Sequence, residues 1–492
     1  MPASHLASPR EADIAVVGAG AAGLYAALCA AREHATVVLI SAMPLAQTAS
    51  YWAQGGLAAV LAAEDSFELH LRDTELAGRA LVRHSAAEVL VHEAPDCVRD
   101  LQALGVRFDA DRSGRLALGL EGGHSVRRVV HAGGSATGRR MVRQLSALAA
   151  EEPRITVLEG ARARALWRSD ERCRGLICDD GLFIAARAVV LATGGAAALW
   201  GRTTNPPGSQ GFGLLLAHAA GATLADLELL QFHPTAVTGL PGREGFLVTE
   251  AIRGEGATLH DASGERFVDE LAPRDEVSQA IQARLDATGA RSVGLDMRAI
   301  DPGHFPNVVA SLREAGLDPV RELIPVAPAA HYMMGGIVAD LHARSTLPGL
   351  YAVGESSCTG LHGANRLASN SLSECFVFAR RAIPSALSEP APAPVQAEEL
   401  GELERLAPPP LAGASTREAL WRDAGIVRSG EGLERLLDDP HPLARLIASC
   451  ALARTESRGA HRRLDYPERD PELDHRHVIV PAEDPIGWQT WE

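Results

Sequence analysis

The sequence lacks an excess of positive charge, since its formal net charge is −15 at pH 7. Nucleic acid and acidic membrane surfaces bind basic proteins, so neither is expected as a partner. A signal peptide or membrane span is not predicted either: the apolar run at residues 14–31 is interrupted by glycines and has no basic segment before it. An anionic substrate would have to be attracted locally, by clustered arginines and histidines.

Paired cysteines are absent as well. The seven cysteines form no C-x-x-C pair and no zinc-binding pattern, so no metal site is predicted. With no signal peptide, we expect reduced thiols in a cytoplasmic protein. They are Cys29, Cys97, Cys173, Cys178, Cys358, Cys375 and Cys450.

The N-terminus contains a dinucleotide-binding fingerprint in its required context. Residues 13–17 predict a buried strand, G-A-G-A-A-G follows at residues 18–23, and residues 24–32 predict a helix. The glycines permit a tight turn and close approach of the backbone to a pyrophosphate at the helix N-terminus. The second strand, residues 36–40, ends in Ser41-Ala42 and not in the acidic residue usual for a ribose. The fingerprint alone therefore does not name the nucleotide.

Three later segments favour FAD over NAD. Residues 188–195 and 349–355 each predict a buried strand that ends in a glycine turn, and both turns would return to the same cofactor. Residues 51–56, Y-W-A-Q-G-G, form a glycine-rich loop whose backbone could pack on a flat ring. Each segment alone is also compatible with an ordinary strand followed by a turn.

Five polar blocks indicate a dicarboxylate site. They are Q-F-H-P-T at residues 231–235, T-E-A-I-R at 249–253, P-R-D at 273–275, H-Y-M-M-G-G at 331–336 and G-A-N-R-L at 363–367. Arginine offers a planar fork to a carboxylate and imidazole a directional donor, so a small dicarboxylic acid could be held at both ends without a metal. Any one of these residues could instead be a surface or satisfied core group, but the five blocks together favour an enzyme.

These motifs resemble the succinate dehydrogenase and fumarate reductase flavoprotein superfamily and, within it, the L-aspartate oxidase family. The resemblance covers residues 13–381 and resumes at 456–459. It is carried by T-A-S-Y-W-A-Q-G-G (48–56), E-G-G-H-S (121–125), A-P-R-D (272–275) and G-A-N-R-L-A-S-N-S-L (363–372). Respiratory members attach FAD covalently to a histidine in the loop before A-Q-G-G. Residues 48–56 contain none, so FAD is expected to bind noncovalently.

The resemblance implies an oxidoreductase acting on a CH–NH2 group. It would oxidise L-aspartate to iminoaspartate, the first step of de novo NAD synthesis, with oxygen or fumarate as acceptor and quinolinate synthase as a possible partner. The alternative is a soluble fumarate reductase or succinate-oxidising flavoprotein. A third possibility is a noncatalytic flavin-binding scaffold. It would predict that some of the arginines and histidines of the dicarboxylate site are missing.

The resemblance also implies roles for individual residues. His331 and Arg366 would hold one carboxylate, and Gln231, His233 and Thr249 the other. Arg274 would transfer a proton in fumarate reduction through a relay of Glu250 and Arg253, and would position aspartate electrostatically. Glu121 would recognise the substrate ammonium. The implied FAD-binding residues are Gly18, Ala19, Gly20, Ala21, Ala22, Gly23, Ser41, Ser50, Tyr51, Trp52, Ala53, Gln54, Gly55, Gly56, Ala163, Thr193, Gly194, Gly195, Glu355, Ser371 and Leu372.

The chain length and motif order predict the organisation. A chain of 492 residues, 46% hydrophobic, has material for two to four domains. We expect an α/β Rossmann-like FAD-binding domain at 1–230 and 343–390, an inserted α+β capping domain at 231–342, and a C-terminal helical domain at 391–492. Residues 388–395 predict an extended linker, and helical periodicity marks 397–406, 416–427 and 433–453. The charged stretch 454–477 would be the solvated end of the C-terminal domain.

Two positions depart from the family pattern. Phe212 replaces an aspartate usually near the flavin, so a cofactor contact could be lost or rebuilt. Ser135 replaces an aspartate in H-A-G-G-S-A-T-G (131–138), where serine would cap a helix about as well.

Overall fold

The computed structural model describes residues 10–44, 47–392 and 394–492. The strands in these ranges are β1 Arg10–Val17, β2 Val37–Ser41, β3 Leu57–Ala58, β4 Leu118–Gly119, β5 Val129–Val130, β6 Ile155–Glu159, β7 Ala163–Ser169, β8 Arg172–Cys178, β9 Phe183–Leu191, β10 Leu224–Ala225, β11 Leu230–Val237, β12 Thr258–His260, β13 Val293–Asp296, β14 Ile324–Met333, β15 Gly336–Val338, β16 Leu350–Ala352, β17 Ser357–Cys358, β18 Arg476–Val480 and β19 Gly487–Thr490. The α-helices are α1 Ala21–Arg32, α2 Phe67–Ala77, α3 His84–Ala103, α4 Thr137–Glu151, α5 Phe212–Ala219, α6 Ala251–Gly254, α7 Arg274–Thr288, α8 Pro306–Glu314, α9 Asn370–Leu387, α10 Ala397–Arg405, α11 Ala414–Asp423, α12 Gly430–Leu436 and α13 Pro442–Ala453.

A largely parallel sheet forms the centre of the protein. Its order is β6-β2-β1-β9-β8-β7, with β16 pairing β9 in parallel. The register aligns Val16 of β1 with Leu39 of β2 and with Val190 of β9. These strands are apolar on both faces because α1, α3, α4 and α9 cover one face and α5 with the C-terminal helices cover the other. The sheet places the carboxyl ends of β1, β9 and β16 at one edge, where ligands bind in such folds.

The predicted fingerprint adopts the expected strand-turn-helix geometry, with the helix beginning at Ala21. Gly18 has φ +108°, and a Cβ there would lie 2.2 Å from the carbonyl oxygen of Ala192. A Cβ on Gly23 would lie 1.8 Å from the Gly18 carbonyl oxygen, so only glycine permits α1 to pack this closely on β1. The run at residues 14–31 is thus a strand and a helix. Among the described residues, no helix is both long and apolar enough to cross a membrane.

A second, antiparallel sheet of order β11-β14-β13-β12 carries several of the polar blocks. Its core residues, among them Ile281 of α7 and Val308 of α8, pack behind it. The β11–β14 pairing is irregular between Gln231 and Phe232 and between His233 and Ala236. Such bulges turn side chains away from strict alternation, and here they lie beside the polar residues of the site.

The C-terminal region is helical as predicted, with one helix more than expected. The segment predicted as a single helix, 433–453, is divided into α12 and α13, because Pro440 and Pro442 cannot continue a helix. The predicted linker, 388–395, includes residue 393, which lies outside the described residues. The fold class is confirmed: a Rossmann-like α/β domain, an inserted α+β unit and a C-terminal helical region.

The expectation that residues 454–477 are a solvated end holds for only part of the stretch. Residues 464–469, 471, 472 and 475 are exposed, but residues 454 and 456–461 are buried. Arg454 and Arg458 both bond to the buried carboxylate of Glu456, and Arg454 also donates to Glu228 at 2.7 Å. Buried charges of this kind are tolerated because each is paired, so the first part of the stretch is interior structure. The stretch then continues into β18, which pairs with β10.

Ser135 does not cap a helix. Helix α4 begins at Thr137, its N-cap is Ala136 without a side-chain cap, and the Ser135 hydroxyl is buried without a hydrogen-bond partner within the described part of the chain. The predicted capping role at this position is therefore wrong.

Candidate active site

A cavity of about 870 Å³ lies between the edge of the parallel sheet and the antiparallel sheet. Gly20, Gly194 and Glu355, which follow β1, β9 and β16, line one side. His233 of β11 and His331 of β14 line the other. The two sets of sequence motifs therefore meet at one place, which is large enough for a cofactor and a small substrate.

The predicted cofactor residues form one wall of this cavity. The first turn of α1 faces it, and Ser50 Oγ accepts a hydrogen bond from the Ala21 backbone at 3.1 Å. Gly194 has open space where a side chain would stand. The predicted residues that line the cavity are Gly20, Ala21, Ala22, Ser50, Trp52, Ala53, Gln54, Gly55, Gly56, Gly194, Glu355, Ser371 and Leu372. Those set back from it are Gly18, Ala19, Gly23, Ser41, Tyr51, Ala163, Thr193 and Gly195.

Arg366 enters the cavity from the loop before α9. Its Nη1 donates to Ser371 at 2.7 Å, its Nη2 donates to Gln231 at 3.1 Å, and its guanidinium lies 4.6 Å from the centre of the Tyr332 ring. Nε is buried and has no partner among the described residues. Burial and the charge of Arg274 lower the pKa of Arg366 to about 10, which leaves it a cation at neutral pH. A fixed cation with an unused donor suits a carboxylate.

Gln231 stands behind the two arginines. Its Oε1 accepts from Arg274 Nη1 and Arg366 Nη2, both at 3.1 Å, and its Nε2 donates to Asn365 and to the Arg366 carbonyl. The side chain is fully buried and does not line the cavity. The amide fixes both guanidiniums, and a direct substrate contact of Gln231 stays a prediction.

Arg274, Glu250 and Arg253 form a buried chain of charges. Arg274 Nε donates to Glu250 Oε2, and Arg253 Nη2 lies 3.3 Å from Glu250 Oε1. Burial alone would raise the pKa of Glu250, but the charges of Arg274 and Arg253 outweigh it and lower that pKa. Arg274 and Glu250 line the cavity, whereas Arg253 lies behind them and donates to the Glu270 carbonyl.

Two histidines face each other across the substrate side. The rings of His233 and His331 meet edge to face, with centroids 5.0 Å apart. Burial, together with the charge of Arg274, lowers the pKa of both well below the ordinary value. The Thr235 backbone donates to Nδ1 of His233, so the neutral ring carries its proton on Nε2 and offers it as a donor. Thr249 lines the same side of the cavity.

Glu121 lies beside this group, against the glycine loop. It is almost fully buried, it lines the cavity, and a Cβ on Gly55 would be 3.6 Å from its Oε1. Burial alone would raise the pKa of Glu121, but His131, Ser369 and Arg274 outweigh it and lower the pKa to about 2. The group is a carboxylate at neutral pH, and not the surface residue that its loop position also allowed.

Several residues that the motifs did not single out support the site. Thr204 lies 2.8 Å from Nδ1 of His331, and Asn205 donates to the His331 carbonyl. Ser369 and His131 bond to Glu121. Ser369 stands inside the G-A-N-R-L-A-S-N-S-L motif, which is the sequence signal that could have identified it.

Phe212 opens α5 and does not line the cavity. Its ring lies under the guanidinium of Arg162, with the guanidinium carbon 5.4 Å from the ring centre. The aromatic side chain therefore has a cation–π partner where the family has an aspartate.

Two family profiles match the sequence. The FAD binding domain covers residues 13–372, and the fumarate reductase flavoprotein C-terminal domain covers residues 437–486. The first match alone extends over more than half of the chain.

Curated relatives match nearly the whole chain. The L-aspartate oxidase of Caulobacter vibrioides is 44% identical over 96% of this chain and 96% of its own. The L-aspartate oxidase of Agrobacterium fabrum is 42% identical over 96% of this chain and 94% of its own.

Solved structures with the same fold include FrdA and Sdh1. A variant of FrdA from the quinol fumarate reductase of E. coli is 29% identical with a TM-score of 0.89, covering 98% of this chain and 97% of that chain. Sdh1 of Mycobacterium smegmatis, solved in complex with UQ1, is 30% identical with a TM-score of 0.84, covering 99% and 95%.

Proposed function

The chain belongs to the L-aspartate oxidase family of FAD-dependent oxidoreductases, and we propose that the cavity between the two sheets is where it oxidises L-aspartate to iminoaspartate. This reaction is the first step of de novo NAD synthesis, and the acceptor is oxygen or fumarate. The observation that carries the assignment is the charge pattern of the cavity. Arg274 and Arg366 supply positive charge for the substrate carboxylates, and the carboxylate of Glu121, which lies beside the glycine loop, suits an ammonium.

The residues proposed to hold the two substrate carboxylates form two groups. Arg366 and His331 hold one substrate carboxylate, and His233 and Thr249 hold the other. The unused Nε of Arg366 and the Nε2 proton of His233 are the donors that support this division. Gln231 has a positioning role, because its hydrogen bonds to Arg274 and Arg366 fix the distance between the two guanidiniums. Holding the substrate at both ends also orients C2.

Arg274 contributes charge and position to aspartate oxidation. Arginine stays protonated at working pH and is a poor base unless its neighbours tune it. Two of its donors are committed to Glu250 and Gln231, so the guanidinium cannot turn freely. In fumarate reduction we assign it the transfer of a proton to carbon, with Glu250 and Arg253 as the relay that resupplies it.

FAD fits the wall formed by the glycine turns, since α1 points its N-terminus at the cavity and Gly194 leaves open space there. The Gly20–Ala22 turn would hold the pyrophosphate, and residues 50–56 with Ser371 and Leu372 would enclose the ring. When bound, FAD accepts the hydride that leaves C2 of the substrate. The chain's own residues orient that C–H bond, bind the charges of the substrate and exclude water.

A soluble fumarate reductase or succinate-oxidising flavoprotein is the second candidate, favoured by the structural likeness to FrdA. Glu121 argues against it, because a buried carboxylate would repel a dicarboxylate that has no amine. A cytoplasmic location and transfer of the product to quinolinate synthase are further parts of our proposal; the acidic net charge and the absence of cysteine pairing support the first.

Anaerobic mixing of the purified holoenzyme with L-aspartate tests the function. We expect L-aspartate to bleach the flavin absorbance in stoichiometric amounts and succinate to do so far more slowly. Bleaching by succinate without bleaching by L-aspartate would establish the second candidate in its place.

A further inference from the structure

Glu121 is held by two neighbours, one on each oxygen. Ser369 Oγ donates to Oε2 at 2.6 Å, and His131 Nε2 lies 3.3 Å from Oε1. Ser369 also accepts from the Gly56 backbone, which ties the carboxylate to the glycine loop. A carboxylate has about four acceptor positions, so both oxygens keep one direction free for a ligand in the cavity.

His131 follows β5 directly and approaches Glu121 from outside the cavity. It does not line the cavity, and its side chain is 15% exposed, against 1% for Glu121. Its ring packs on the backbone of β4: a Cβ on Gly119 would lie 2.7 Å from the ring carbon Cε1. The ring is therefore confined beside the carboxylate while keeping access to solvent.

The contact with this imidazole fixes the direction in which the carboxylate faces. The charge of Glu121 attracts an ammonium and repels the electron-rich middle of a dicarboxylate that has no amine. Both effects depend on how the carboxylate is turned towards the cavity, and His131 holds one of its two oxygens.

The other ionisable groups that the structure describes around the pair do not hold the Glu121 carboxylate by a hydrogen bond. His233 and His331 are neutral because burial and Arg274 lower their pKa well below the ordinary value. Arg274, Arg253 and Glu250 interact with Glu121 and stay charged, and the chain contains no lysine. Asp109, whose backbone N–H donates to the His131 carbonyl, commits its carboxylate to Gly133 and Gly134. Glu355 also lines the cavity, but its neighbour is the Met333 backbone.

We propose that His131, acting through Glu121, is a specificity-determining residue that orients the carboxylate towards the amine of L-aspartate and sets how strongly the site favours an amino dicarboxylate over one without an amine. The proposal rests on the proposed function. His131 touches Glu121 and not the substrate, so its role is one of positioning and charge.

The test compares holoenzymes of the parent, His131→Gln and His131→Ala at one pH. The measured quantity is the ratio of kcat/KM for L-aspartate oxidation to kcat/KM for fumarate reduction. In His131→Ala this ratio should fall by about tenfold, because a carboxylate that is no longer held towards the cavity attracts the ammonium less and repels fumarate less. His131→Gln, which keeps a donor to Glu121, should keep most of the parent ratio. The exposed His342 gives the matched control, since His342→Gln should keep the parent ratio.

A second readout does not depend on turnover. Succinate binding, followed by its perturbation of the oxidised flavin spectrum, should be tighter in His131→Ala than in the parent and should stay near the parent value in His131→Gln. His131→Ala should raise the KM for L-aspartate more than His131→Gln, because only glutamine can still orient the carboxylate.

An unchanged ratio in His131→Ala would overturn the proposal, as would equal losses on both substrates in His131→Ala and His131→Gln. A parent enzyme that fails to oxidise L-aspartate at all would instead refute the proposed function.

Discussion

Arg274 Nε donates to Glu250 Oε2 across 2.5 Å, and both side chains are buried. The contact joins the first residue of α7 to the residue just before α6, so it fixes the guanidinium relative to the antiparallel sheet. Because the pair stays ionised, Arg274 presents a permanent charge in a defined direction. That favours a role in positioning over one as a general base.

Replacement of this cation should separate the two activities. We expect Arg274→Leu to abolish fumarate reduction, which needs the donated proton, and to lower kcat/KM for L-aspartate by about 10- to 100-fold through loss of a charge-assisted contact of about 1.5–3 kcal/mol. Steady-state kinetics in both directions measure this. Equal decreases in kcat/KM for L-aspartate oxidation and for fumarate reduction would show that Arg274 serves in binding only.

Arg366→Leu should weaken both reactions alike, since L-aspartate and fumarate both carry the carboxylate that it is proposed to hold. The expected loss of kcat/KM is about 10- to 100-fold on each. FAD content should stay nearly intact, which distinguishes substrate binding from folding. Arg321, at 85% side-chain exposure, supplies the control Arg321→Leu, which should change nothing. Unchanged kinetics in Arg366→Leu would remove that residue from the site.

The flavin should be released by acid. No histidine lies in residues 48–56, and Ser50 and Trp52 stand where this loop lines the cavity. Precipitation of the holoenzyme with acid should leave yellow flavin in the supernatant. Flavin that stays with the pellet would contradict the noncovalent assignment.

Stability should depend on pH through His461, which is buried between two arginines. Arg428 donates to its Nδ1 at 2.9 Å, and its Nε2 donates to the Arg454 carbonyl at 3.1 Å. Burial first, and then the charges of Arg428 and Arg454, lower its pKa well below the ordinary value. The unfolded chain takes up this proton below about pH 6.5 and the folded chain does not, so stability is lost as pH falls.

Thermal unfolding of the parent and of His461→Gln measures that contribution. The variant should be less stable than the parent at about pH 8, and the difference should shrink towards about pH 5 as the parent loses its advantage. A difference in Tm that is constant over this range would assign His461 a packing role only.

The local motifs were predictable because their chemistry is local. G-A-G-A-A-G needs a strand before it and a helix after it, and β1 and α1 occupy those places. The type of the site followed in the same way from Arg274, Arg366 and the two histidines. Their meeting at one cavity could be predicted only because strand ends of a parallel sheet share one edge.

Long-range pairing could not be predicted. From the sequence alone, Arg454 is expected to be a solvated charge. It is buried because it pairs with Glu228, which lies more than two hundred residues earlier in the chain. The contacts of Gln231 with two arginines could not be predicted either, because its position depends on a bulged strand pair. His131 gave no signal of its own, since its importance comes from the carboxylate it contacts.

Substitution of Glu121 tests most directly that this site recognises an amino dicarboxylate. Glu121→Gln keeps the size and hydrogen bonding of the side chain and deletes the charge that faces the ammonium. L-aspartate oxidation should fall by at least about tenfold, while fumarate reduction by the reduced flavin should survive or improve. The decisive quantity is the ratio of the two kcat/KM values, which should drop. Equal losses on both substrates would make Glu121 a structural residue, and no loss on either would contradict the recognition of the amine.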